Sequence, residues 1–121
     1  MKKAKVVVEA HPIRLTGSGE RVEVDALVDG DLAIHRGIGM EADGKFYTFR
    51  LYTVTHIPSG MAQVYSLSLQ QARKYVEEFK RIVGPGACAV QDSNGGWLPN
   101  QGYIEAHRGA KMAAGLSIYG D

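Results

Sequence analysis

The chain has little cysteine: Cys88 stands alone among 121 residues. One thiol cannot close an internal disulfide or build a cysteine-rich zinc site, and it fits a reducing compartment. Long apolar runs are missing too. No stretch approaches the ~20 residues of a membrane helix. The N-terminal MKKAKVVVEAH starts basic but offers just three valines before Glu9, too short for a signal-peptide core. A cytoplasmic protein without a membrane role is the expectation. Charge of one sign is also lacking: the formal net charge is +1, without the basic surplus of a dedicated nucleic-acid binder. The four histidines (His11, His35, His56 and His107) occur singly, with no His-x-His, His-x3-His or Glu-x-x-His spacing. Neither metal nor cofactor is expected. Gly37-Ile38-Gly39 and Asn94-Gly95-Gly96 are not phosphate loops, since the first opens no helix and the second lacks the P-loop lysine and serine.

What is present is a strong folding signal. A chain of this length buries about two-thirds of its unfolded surface and needs no staples, so residues 1–121 are read as one domain. Lys45–His56 is rich in aromatic and β-branched residues, as a half-buried strand should be. Its two faces are both mixed. The expectation is Tyr47, Phe49 and Leu51 inward, with Arg50, Tyr52 and Val54 on the opposite, partly covered face. Ile57-Pro58-Ser59-Gly60 is a β-turn, proline presetting one φ and glycine closing it. Met61–Ser66 returns as the partner strand.

The helix that follows is well marked over residues 68–83. Ser68 and Gln71 form a capping box, and Leu69, Ala72, Val76, Phe79 and Val83 line one face, with Ile82 at its border. Gly84-Pro85 ends it. Upstream, Ala4–Leu15 reads as a first strand limited by Pro12. Thr16–Gly19 is a turn. Glu20–Val28 alternates cleanly, with Val22, Val24 and Ala26 inward. Leu32–Arg36 is a short strand between the turn signals Asp29-Gly30 and Asp43-Gly44, and Gly37-Ile38-Gly39 bends or bulges it. The class is therefore α+β: an antiparallel meander of about five strands with the main helix packed on one face.

Beyond Pro85 the chain is glycine-rich. Gly86–Val90 could add an edge strand, and Asp92–Gly96 is a flexible turn closed by Trp97-Leu98-Pro99. A second helix is expected over Gln101–Ala114, capped by Asn100. Its small face is Ala106, Ala110 and Ala113, with Ile104, Met112 and Leu116 as larger neighbours. Gly102 and Gly109 weaken it by ~1 kcal/mol each. Trp97 is read as the hook that docks the tail.

For function, the absence of a catalytic constellation points away from an enzyme and towards a non-catalytic binding protein. Its size and plainness match the accessory proteins of bacteriophages and mobile elements, among them inhibitors of a host protein. The binding residues expected are Arg50, Tyr52, Val54 and Trp97, facing a protein partner or a second copy in a homodimer. One alternative is a nucleic-acid or nucleotide binder using Arg14, Arg36 and Arg50 with Tyr47, Tyr52 and Tyr65 as a stacking face. The other is a small enzyme with His56 as base and Ser59 as nucleophile, helped by His35 or Asp92. Cys88 is read as apolar filler.

Overall fold

The computed structural model describes residues 1–9, 21–40, 43, 45–83, 89–91, 97–99 and 101–116. The chain divides into two compact units, Met1–Leu69 and Gln70–Asp121. The class is the α+β one read from the sequence: a five-strand antiparallel meander, then a main helix and a second, C-terminal helix. The readings of Pro12, the Thr16–Gly19 turn, Gly84-Pro85, Cys88, Asp92–Gly96 and Asn100 fall outside the described residues, as do His11 and Arg14.

The first unit holds β1 (Lys2–Glu9), β2 (Arg21–Asp29), β3 (Leu32–Met40), β4 (Phe46–His56) and β5 (Met61–Leu67), hydrogen-bonded in chain order. The order follows from the turns. Gly30 takes φ +62° in the two-residue connection that sets Asp29 opposite Leu32, a backbone state glycine adopts without a Cβ clash. Asp43 accepts a hydrogen bond from the Lys45 amide at 3.0 Å, the local side-chain turn that aspartate favours. The alternation of β2 appears as the period of two requires: Ala26 is buried and Val22 and Val24 half-buried, while Arg21, Glu23 and Asp25 are exposed. Register sets Val6 opposite Val24 and Val8 opposite Val22. These valines join Ala26, Ala33 and Ile38 in one apolar cluster, with Val28 and Ile57 against it. β1 and β5, the two ends of the strand order, come within 8 Å of each other. The sheet is therefore strongly curled around that cluster.

Two departures from a regular ladder matter. β3 runs on through Gly37-Ile38-Gly39 to Met40, longer than Leu32–Arg36, and its register with β4 breaks there. Arg36 faces Tyr52 and Ile38 faces Thr48, so Phe49, Arg50 and Leu51 all lie opposite Gly37. β4 bulges outward at these three residues. β5 also carries extra residues opposite Tyr52–Thr55, and Ser66 absorbs part of the excess at φ +62°.

The second unit holds α1 (Leu69–Val83, whose first residue belongs to the first unit), β6 (Ala89–Gln91), β7 (Trp97–Pro99) and α2 (Gln101–Ala113). Ser68 immediately precedes α1, where a cap belongs. Ala72, Val76 and Phe79 are buried as the spacing predicts, together with Tyr75. Leu69 and Val83 are half-buried and Ile82 is exposed. β6 and β7 pair with each other as a separate two-stranded sheet, so Trp97–Pro99 is strand rather than loop end.

On α2, Ala106 and Ala110 are buried, but Ala113, Ile104 and Met112 are exposed, which corrects their assignment to the packed side. The inward stripe is Tyr103, Ala106, His107, Ala110 and Ala114, at the helical spacings of three and four. Tyr103 packs edge-on against Phe79 at 5.6 Å between centroids, and His107 hydrogen-bonds the Tyr75 hydroxyl at 2.7 Å. The small alanines let the large rings meet. α2 closes with Gly115 at φ +76°, the Leu116 amide donating to the Lys111 carbonyl and the Gly115 amide to that of Met112. This is a glycine-terminated Schellman end.

Candidate binding surface

β4 was expected to divide its burial between two faces. It divides it along its length instead. Phe46 to Leu51 are exposed on both faces, and Thr53 to His56 are buried on both. Tyr47, Phe49 and Leu51, expected inward, are 42%, 47% and 48% exposed, and Val54, expected on the binding face, is fully buried. The cause is in the pairing. β5 lines β4 from Tyr52 to His56 but not before, and β2 pairs with β3 from Leu32 to Ile34 but not beyond. Among the described residues the outer halves of β3 and β4 thus stand as a two-stranded arm. With no strand paired beyond it there, β4 presents residues of both parities to solvent, while on β3 Ile38 and Gly39 stay buried, Ile38 in the apolar cluster.

The arm's composition then explains itself. A Cβ on Gly39 would collide with the hydroxyl end of the Tyr47 ring, and one on Gly37 would sit 2.9 Å from Phe49 Cδ2. The glycines of β3 leave room for the aromatic rings of β4 to lie across the ribbon. Those rings meet edge-to-face at 5.2 Å, a favourable aromatic geometry. On the other face Arg36 lies over the Tyr52 ring, 5.6 Å from its centroid, within cation–π range. Arg50 is exposed at the crest of the bulge, between Phe49 and Leu51. Of the four binding residues read from sequence, Arg50 and the half-buried Tyr52 lie on this arm or at its root. Val54 does not present a surface. Trp97 lies in β7 of the second unit, and its side chain is outside the described residues.

The charge around the arm is segregated. Across residues 32–40 and 45–67 the formal charges are Arg36, Lys45 and Arg50, with no aspartate or glutamate. The carboxylates of residues 1–69 lie on β1, on β2 or in the connections, Glu41 and Asp43 falling in the one that joins β3 to β4. A groove of about 850 Å³ marks the boundary: Lys3, Lys5, Glu23 and Asp25 line it on one side and Arg36 and Tyr52 on the other. There Lys5 and Asp25 pair at 3.2 Å. A net charge near neutrality averages over these two halves.

His56 and Ser59 are close, and their geometry is that of a turn. Ser59 Oγ lies 2.8 Å from His56 Nδ1 and donates to the His56 carbonyl at 3.3 Å. One hydroxyl proton serves both contacts only if Nδ1–H donates to Oγ and the hydroxyl donates onward to the carbonyl. A general base must instead take the hydroxyl proton. Both residues are buried, and the Gly60 amide donates to the same carbonyl at 2.8 Å. The Ile57 amide donates to the Asp31 carbonyl, tying this turn to the one between β2 and β3. Burial pushes the His56 imidazole below the ordinary histidine value, against an opposing pull from Asp31.

His35 is also buried. Its Nδ1–H donates to the Arg36 carbonyl at 2.8 Å, and its Nε2 lies 2.7 Å from Thr55 Oγ1. Burial lowers its pKa, the Arg36 contact opposing, so the ring is neutral and Nε2 accepts from the threonine hydroxyl. This pair anchors β3 to β4 one residue before the arm departs. Among the described residues no group of three His, Cys, Asp or Glu side chains could hold a metal ion, and no helix is long and apolar enough to cross a membrane.

Comparison with protein-family models, curated proteins and solved structures finds no match to the chain. The signal for the arm was in the sequence all the same. Apolar residues on both parities of one strand, opposite a Gly-x-Gly on its neighbour, mark rings that need backbone to lie on.

Proposed function

We propose that the protein is a non-catalytic binding module and that the β3–β4 arm is its binding element. One observation carries this: six successive residues of β4, Phe46 to Leu51, are exposed on both faces, and four of them are large and apolar. Proteins that act alone rarely leave such a patch open. A bulge that turns Phe49, Arg50 and Leu51 outward is the kind of feature that re-aims side chains at functional sites. Arginine and aromatic residues are also those most enriched among binding hot spots. The reading covers action on a host protein, as an accessory or inhibitor would act, and equally capture of another anionic partner. The enzyme alternative has less support, because His56 and Ser59 are both buried in a turn whose hydrogen bonds they close.

The test is capture from the source cell with the whole protein as bait. The double variant Phe49→Ser/Leu51→Ser should stay folded, since both side chains are exposed, and should lose the specifically retained partner. His56→Ala and Ser59→Ala should retain it. If the arm variant keeps partner and biological effect while Ser59→Ala abolishes the effect, the arm is idle and the enzyme reading takes over.

A further inference from the structure

We infer that the ligand of the arm is single-stranded nucleic acid, an inference that rests on the arm being the binding element. The occupant must match three properties at once. It is anionic where it meets the strands, because β3 to β5 and Lys45 supply Arg36, Lys45 and Arg50, and the two carboxylates of residues 32–67, Glu41 and Asp43, are confined to the β3–β4 connection. It must offer flat π-faces, because Phe46, Tyr47 and Phe49 are exposed on the arm and Tyr52 is half-exposed at its root beneath Arg36. It must be flexible, because the bulge at Phe49–Leu51 and the rings lying over Gly37 and Gly39 give a stepped surface rather than a smooth one.

A single strand has phosphates and unstacked bases at alternating positions along a flexible backbone, and protein sites for it combine cations with aromatic platforms. A duplex hides its base faces. An acidic protein segment would satisfy the charges but has no general reason to need four aromatic rings. The arrangement is sequence-tolerant: the arm offers rings and guanidinium groups, both of which accept any base by its face. The cations are few, so affinity is modest and the salt dependence shallow. Three phosphate contacts on a single strand give a slope of about −2 in log K against log salt.

The experiment uses the full chain and a fluorescein-labelled oligo(dT), read by anisotropy at low salt, with a duplex of equal length as competitor. Expected are saturable binding, a slope of about −2, and poor competition by the duplex. Tyr47→Ser and Phe49→Ser should each weaken binding about tenfold, the loss of one stacked base, and Arg50→Glu should weaken it further. Lys2→Glu, the same charge change on β1, should have much less effect. Circular dichroism on each variant separates lost binding from lost fold. The inference is overturned if oligo(dT) does not bind, if Lys2→Glu weakens it as much as Arg50→Glu, or if the duplex competes equally well. An arm-dependent partner captured from cells that survives nuclease treatment, without oligo(dT) binding, overturns this inference and leaves the binding-module reading standing.

Discussion

His35 shows how a single buried side chain couples the arm's root to solution conditions. Both ring nitrogens are engaged, one donating to the Arg36 carbonyl and one accepting from Thr55. In the unfolded chain this imidazole titrates near its ordinary value of 6.5, and in the fold it titrates lower because of burial. Between those two values the unfolded chain binds the extra proton, so stability is full above 6.5 and falls as pH drops through the folded value. His56 is shifted in the same direction and adds to the effect. Urea midpoints taken from pH 8 down to 5 should therefore decrease. His35→Gln should start lower at pH 8 but show a flatter decline. A midpoint that rises towards pH 5, or an unchanged slope in the variant, would mean that His35 titrates freely. None of this was legible in the sequence. A histidine at an inward strand position has no local signature, and its partner Thr55 is twenty residues away, across a register that a bulge had shifted.

At the scale of elements, α1 was the most legible and the long strand the least. A helix repeats its environment every turn, so the spacing of Ala72, Val76 and Phe79 carried its own answer, and all three are buried. Phe79 stacks on Tyr75 at 5.8 Å and meets Tyr103 edge-on. Phe79→Ala should cost roughly 3–5 kcal/mol, transfer and cavity terms together, and unfold a chain of ordinary stability. Chemical denaturation checks it, and a midpoint near that of the wild type would show that the aromatic cluster is not structural. Tyr75 was missed because its hydroxyl looks polar until His107 is known to receive it. For β4 the period-two rule meets a strand whose environment changes halfway. Alternation assumes a uniform sheet on each side. Here β5 covers one half only, so parity could not name an inside.

At the scale of the molecule, composition misled in one respect and served in another. The lack of long apolar runs leaves short alternating strands and one amphipathic helix as the means of burying a core, and the α+β class follows from them. Net charge, however, is a sum. It could not reveal that the carboxylates of the first unit avoid β3 to β5, because that segregation exists only once the strand order is known. The five-strand meander was recoverable because three of its four connections are short and carry their own turn chemistry. The bulge was not, because nothing in Phe49-Arg50-Leu51 announces that three residues will face one glycine.

The uneven covering of β4 also separates timescales within one strand. Amides between Thr53 and His56 have a strand on either side and lie among buried side chains, so they should open only with the whole unit. Those between Phe46 and Leu51 have a neighbour on one side alone and a broken ladder there, and need only local fraying to exchange. Native-state hydrogen–deuterium exchange should thus give two well-separated opening free energies within eleven consecutive residues, the outer value responding little to urea and the inner one following global unfolding. Equal protection along the strand would mean that the arm is clamped from both sides. With the two-step profile, β4 would serve as fixed scaffold and loosened ribbon at once, its outer half opening while the half beside β5 stays shut.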